Sequence, residues 1–164
     1  MKTRAVLGSA AFFVLAPGVV AGVVPWALTR WRAGSAPGVV RVAGAVLTVA
    51  GAAVVVAEFA RFVHEGRGTP APVAPTERLV VGGLYRYVRN PMYLGVAMTI
   101  VGQALVLARP VLALYAGVFA AVVATFVRFY EEPALVSQFG AEYEAYRRAV
   151  PAWRPRLRPW AARP

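Results

Sequence analysis

Residues 82–95 read Gly-Gly-Leu-Tyr-Arg-Tyr-Val-Arg-Asn-Pro-Met-Tyr-Leu-Gly, and they lead into an apolar run, Leu94 to Ala108, that Arg109-Pro110 separates from a second run, Val111 to Val127. A break of two residues joins such runs as an antiparallel helical hairpin. Pro91 suits the first turn of the leading helix, where its missing N–H leaves no bond unmade. The hairpin returns the chain to the face it left, so the cations and tyrosines of 85–93 and the later pair Glu131-Glu132 stand at one membrane face. Arg89 and Glu131 are therefore expected to be neighbours in space, able to hold a ligand that carries both signs of charge.

Apolar residues make up 59% of the 164 and charged residues only 15%, with a mean hydropathy of +0.59. That balance is far from a water-soluble domain's. Four long apolar runs cannot hide in one core of this size, so the bilayer is the solvent for most of them. The expected fold is an all-α polytopic integral membrane protein of one domain, with about four transmembrane helices and a C-terminal amphipathic cytosolic helix. It divides into two N-terminal spans (1–63), a cytosolic loop with the tyrosine-arginine motif (64–92), the hairpin (93–127), and a cytosolic helix with a basic aromatic tail (128–164).

The net charge of +11 is almost wholly arginine, with Lys2 the only lysine and no aspartate. The arginines flank the apolar runs instead of forming a basic stripe on a soluble face, so the expected partners are anionic lipid headgroups and not nucleic acid. The absence of cysteine excludes disulfides, thiolate metal sites and cysteine nucleophiles. With one histidine besides, no metal centre is expected. His64 reads as a loop residue near a helix end.

The first span, Ala5 to Leu28, carries Pro17-Gly18 and Pro25, where it should kink; it reads as a retained helix and not a cleaved signal. Trp31 with Arg30 and Arg32 closes it as an interfacial belt. The second span, Val39 to Ala57, holds Gly44, Ala45, Gly51, Ala52 and Ala53, small residues that permit close helix packing. Arg41 snorkels to its end. The third span is short and needs Met92 and Tyr93, or local thinning of the bilayer, to cross. Glu58 and Gln103 are read as hydrogen-bonding between helices, Glu58 also as a possible wall of an acceptor channel, and Tyr115 as ordinary packing. Of the 18 Lys and Arg, fourteen fall on one face and only Arg30, Arg32, Arg41 and Arg109 on the other. By the positive-inside rule both termini are cytoplasmic.

Beyond Glu132, Leu135, Phe139, Tyr143, Tyr146 and Val150 recur near helical spacing, which predicts an amphipathic helix over Pro133 to Ala149 lying on the cytosolic face as a lid. The tail Trp153-Arg154-Pro155-Arg156-Leu157-Arg158-Pro159-Trp160 reads as an interfacial anchor.

Three pieces together resemble the isoprenylcysteine carboxyl methyltransferase family, whose core is shared with the phospholipid N-methyltransferases. They are Gly83 to Gly95, the Glu131-Glu132 pair after a hairpin, and Phe139-Gly140-x-Glu142-Tyr143-x-x-Tyr146 before Val150-Pro151, covering roughly residues 67–155. The resemblance implies a membrane methyltransferase that binds S-adenosylmethionine without a Rossmann domain, and no G-x-G-x-x-G occurs here. Carried over position by position, it puts Tyr85, Arg89, Asn90, Pro91, Tyr93 and Gly95 in one wall of the cofactor pocket and Glu131 and Glu132 in the other. Arginine would take the cofactor's carboxylate, and the glutamates its ammonium or ribose hydroxyls. Arg86, Arg147 and Glu132 are the candidate catalytic residues, the two arginines for holding an acceptor carboxylate. Asn90 stands where the family most often has histidine, and an amide cannot titrate as a base.

The implied acceptor is a lipophilic carboxylate or amine drawn from the bilayer, and the arginine-, alanine- and valine-rich usage suggests a bacterial inner membrane. Two alternatives stay open on sequence grounds: a membrane reductase using NADPH, with a similar C-terminal helical pattern, and a non-catalytic scaffold of the same fold.

Overall fold

The computed structural model describes residues 16–66 and 78–161. The start of the expected first span, with Lys2, Arg4, Arg67 and Arg163, lies outside them. Among the described residues all regular structure is helical. Two helices among the described residues are long and apolar enough to cross a membrane, and two shorter apolar helices accompany them.

Helix α1, Ala16–Thr29, is interrupted ahead of Pro25 by a π-turn at Val19–Val23. Pro25 has no N–H to offer the preceding turn and its ring presses on it. The residue before it, Val24, bonds instead to the Val19 carbonyl five residues back. The carbonyls of Val20 and Ala21, left over by this shift, accept from the Tyr115 hydroxyl at 2.8 Å and from Gln103 Nε2 at 2.7 Å. Gln103 thus bonds between helices as expected. Tyr115 does more than pack, since in hydrocarbon a carbonyl without a donor costs several kcal/mol.

Helix α2, Gly38–Gly66, is longer than its apolar stretch implied. The segment read as loop from His64 begins as its last turn. Helix α3, Pro91–Leu107, starts at the proline and runs antiparallel to α2. Gly44 and Gly51 on α2 face Gly102 and Gly95 on α3, and a Cβ on Gly44 would lie 2.7 Å from the Gly102 carbonyl. Backbones approach this closely only where side chains are absent. At the far end, Gly34 N–H donates to the Leu107 carbonyl at 2.7 Å and Arg109 Nε to that of Arg32 at 2.8 Å, tying both connections together.

Ala108 in the left-handed region and extended Arg109 make the hairpin turn into α4, Pro110–Phe126. Val55, Val96, Ile100 and Ala116 form the core where α2, α3 and α4 meet, with Val20 and Ala21 packed on it. The outward rows are apolar as well. Val39, Val42, Val46 and Val49 on α2, and Leu114, Val118, Val122 and Phe126 on α4, are exposed at helical spacing, as lipid-facing stripes are.

The amphipathic helix expected from Pro133 is not a separate element. Helix α5, Glu132–Ala149, continues from α4 through a second π-turn, Val127–Glu131, giving one helical run of 40 residues from Pro110 to Ala149. At 1.5 Å per residue that is roughly 60 Å, about twice the hydrocarbon thickness, so its second half must leave the bilayer. The chain bends within α5 at Gly140, whose φ of 51° and ψ of −124° suit only glycine. Past the bend Tyr143, Tyr146 and Val150 pack against Leu79, Val81, Leu135, Val136, Phe139 and Trp160, forming a second core beside the motif.

Candidate functional site

Gly83, with φ of 51°, lets the chain turn into a short 3₁₀ segment, Gly83–Arg86, against the Arg61 side chain. Buried Glu58, two turns before the end of α2, accepts the Leu84 N–H at 3.3 Å, so it braces this turn. Tyr85 points inward and is buried. Desolvation first, then the neighbouring Glu131 and Glu58 carboxylates, push its phenol well above the ordinary tyrosine range, keeping it a neutral hydrogen-bonding group.

Pro91 then opens α3. This leaves Arg89 just outside the helix and Tyr93 in its first turn. Opposite them stands the second π-turn, which has the same cause as the first. Pro133 cannot donate to the preceding turn, and the residue before it, Glu132, bonds five back to the Val127 carbonyl. The wider turn carries both glutamates toward α3.

Contact between the walls is direct. Arg89 Nη1 lies 2.6 Å from Glu132 Oε1 and donates also to the Tyr143 hydroxyl at 3.2 Å. Tyr93 donates its hydroxyl to Glu131 Oε2 at 3.0 Å. The arginine's direct carboxylate partner is thus the second glutamate. Glu132 is buried, and its other oxygen faces Arg147 at 3.6 Å and Arg128 at 3.9 Å. Among the described residues no cation pairs with Glu131. Arg89 Nε is buried and has no hydrogen-bond partner among them either.

The other expected site residues sit around this pair. Arg147, bonded to Glu144 at 3.2 Å, lines with Arg128, Glu132, Val136, Ser137 and Glu144 a groove of about 420 Å³ in the angle of the bent helix. Arg86 lies outside it, with Nε on the Trp160 carbonyl at 2.8 Å. Asn90 is buried with its amide on the Ala152 carbonyl at 3.1 Å. Pro91 is fully buried at the helix start. Gly95 faces α2 and serves helix packing, its Cβ position 2.9 Å from the Gly51 carbonyl.

Tyr143, Tyr146 and Trp160 belong to the site's surroundings without having been singled out for it. Tyr146 donates to the Tyr85 carbonyl at 2.7 Å and packs on the Trp160 ring with centroids 5.3 Å apart. Tyr143 and Tyr146 were legible as the apolar face of a helix, but only the bend at Gly140 turns that face onto the motif.

With this geometry in place, comparison with known proteins gives one match: a family model described as phospholipid methyltransferase covers residues 39–142. No curated protein and no solved structure matches the chain.

Proposed function

For a chain that belongs to the phospholipid methyltransferase family, as this one does, we propose methyl transfer from S-adenosylmethionine to a lipophilic carboxylate or amine drawn from the bilayer at its cytosolic face. Membership implies methyl transfer to a membrane lipid-like substrate; to this we add the donor, the face and the residue roles below.

The observation that carries the reading is the meeting of unlike charges from two walls, with capacity left on each. Glu132 is matched by arginine, whereas Glu131 has a tyrosine hydroxyl and no cation among the described residues. Arg89 keeps a buried Nε donor to spare. A half-buried carboxylate and a buried guanidinium donor that lack full partners among the described residues fit a zwitterionic amino-acid group, whose ammonium and carboxylate complete both.

When bound, S-adenosylmethionine supplies an electrophilic methyl on a sulfonium. The chain's part is to bind and orient: Arg89 holds the carboxylate of the donor, Glu131 its ammonium, and Tyr93 fixes the Glu131 carboxylate. Tyr85, neutral and buried beneath them, excludes water. Displacement at a methyl group is in-line and gains chiefly from such positioning. Arg147, which lines the groove, is the residue we assign to hold an anionic group of the acceptor, with Arg86 outside the groove, its Nε on the Trp160 carbonyl. Asn90 has its amide on Ala152 and takes no part as a base.

The test is transfer of isotopically labelled methyl from S-adenosylmethionine by the purified protein, reconstituted with a bacterial lipid extract. Label is expected in the organic phase with the wild type and not with Glu131→Gln. Absence of label with the wild type, or equal labelling by both proteins, would count against the reading.

A further inference from the structure

We infer that residues 150–160, which lie beyond the family-matched segment, are a strap that sets the position of Arg89, with Trp160 as its latch. The inference rests on the reading that Arg89 holds the donor's carboxylate.

Residues 86–90 leave the 3₁₀ turn before α3 begins, so several of their backbone groups have no ladder to join. Buried groups of this kind need partners. The strap supplies them in succession. Arg89 N–H donates to the Pro151 carbonyl at 2.9 Å, Arg156 N–H to the Tyr87 carbonyl at 3.0 Å, and Trp160 N–H to the Arg86 carbonyl at 2.8 Å. The side chains of Arg86 and Asn90 return two further bonds, to the carbonyls of Trp160 and Ala152. Arg86 and Trp160 therefore grip one another in both directions.

Trp160 also fixes the strap to α5. Its ring packs on Tyr146, and the Tyr146 hydroxyl bonds the Tyr85 carbonyl, so one aromatic contact joins the tail, the bent helix and the motif. The result is an arginine held at both ends: its backbone N–H by Pro151, its guanidinium by Glu132 and Tyr143. Fixing a binding side chain through supporting contacts preserves affinity, because no rotamer freedom is left to lose when the ligand arrives. Trp160, Arg86 and Asn90 are thus positioning residues, and the amide at position 90 has a use that a carboxylate of the same size lacks, since it donates.

The test titrates S-adenosylhomocysteine into the full-length protein in lipid nanodiscs by calorimetry. Trp160→Ala and Asn90→Asp are each expected to weaken binding by about tenfold, the lower end of what losing supporting contacts costs a bound site. Trp160→Phe keeps the ring contact and should bind as the wild type does. In an Arg89→Ala background, Trp160→Ala should add no further loss, because the strap acts through that arginine. Multiplying losses would assign Trp160 a purely structural role and overturn the inference, as would wild-type affinity in Trp160→Ala. Should Trp160→Ala fail to fold, Asn90→Asp decides alone. A wild-type protein that binds no S-adenosylhomocysteine would overturn the functional reading and the strap with it, whereas binding retained by every variant would overturn only the strap.

Discussion

Glu132 sets one carboxylate oxygen 2.6 Å from Arg89 and the other 3.6 Å from Arg147, while among the described residues Glu131 accepts from the Tyr93 hydroxyl and pairs with no cation, and this difference governs how each responds to losing its charge. Glu132→Gln strands Arg89, whose side chain is only 12% exposed, and should cost about 3 kcal/mol of stability. Glu131→Gln strands no arginine and should leave the unfolding temperature near that of the wild type. Thermal unfolding in a fixed detergent compares the two, and equal destabilisation would contradict the assignment of partners. Opposition of Arg89 to the glutamate pair was legible in the sequence, because a tight hairpin leaves the chain no other face to return to. Which glutamate pairs with the arginine was not. That choice depends on a local change in helical winding, which residue types at a given spacing do not disclose.

At the scale of elements, the change in winding has one cause in both places. In each π-turn the closing N–H comes from the residue before a proline, Val24 before Pro25 and Glu132 before Pro133. A proline inside a helical run reads from sequence as a kink, whereas what stands before these two is a π-turn, which shifts the facing of everything beyond it by about 100°. Pro133→Ala restores the missing N–H and should let the run relax to an α-helix, turning the glutamates away from α3. Loss of S-adenosylhomocysteine binding is expected, with helical content by circular dichroism unchanged or higher. Unaltered binding would show that the π-turn does not set the glutamates' direction. Gly140 is the other hinge, and Gly140→Ala forces a side chain into a backbone region that L residues rarely occupy. A penalty of about 1–3 kcal/mol is expected in the unfolding free energy; no penalty would mean that the bend can form elsewhere. The apolar periodicity of α5 was visible in the sequence, but periodicity cannot say where a helix bends.

For the whole molecule, composition and the lengths of the apolar runs sufficed for an all-helical membrane protein, since the outward-facing valines and leucines are as apolar as the core. The C-terminal strap escaped that reading because its contacts are mostly backbone hydrogen bonds, which no residue type announces. The absence of native cysteine makes the arrangement across the bilayer directly testable. Leu157→Cys, at a position 99% exposed, and Ser35→Cys, in the connection between α1 and α2, should react with an impermeant maleimide from opposite sides of the membrane. Labelling of both from one side would contradict the hairpin's return to the motif face. If Arg89 and Glu131 are two walls of one cofactor site, as proposed above, calorimetric titration of S-adenosylhomocysteine into wild-type, Arg89→Ala and Glu131→Gln proteins will show it. Saturable binding by the wild type, weakened about tenfold or more by either substitution, as loss of a charge-assisted hydrogen bond requires, is the predicted result; no binding by the wild type, or affinity untouched by both substitutions, would contradict it.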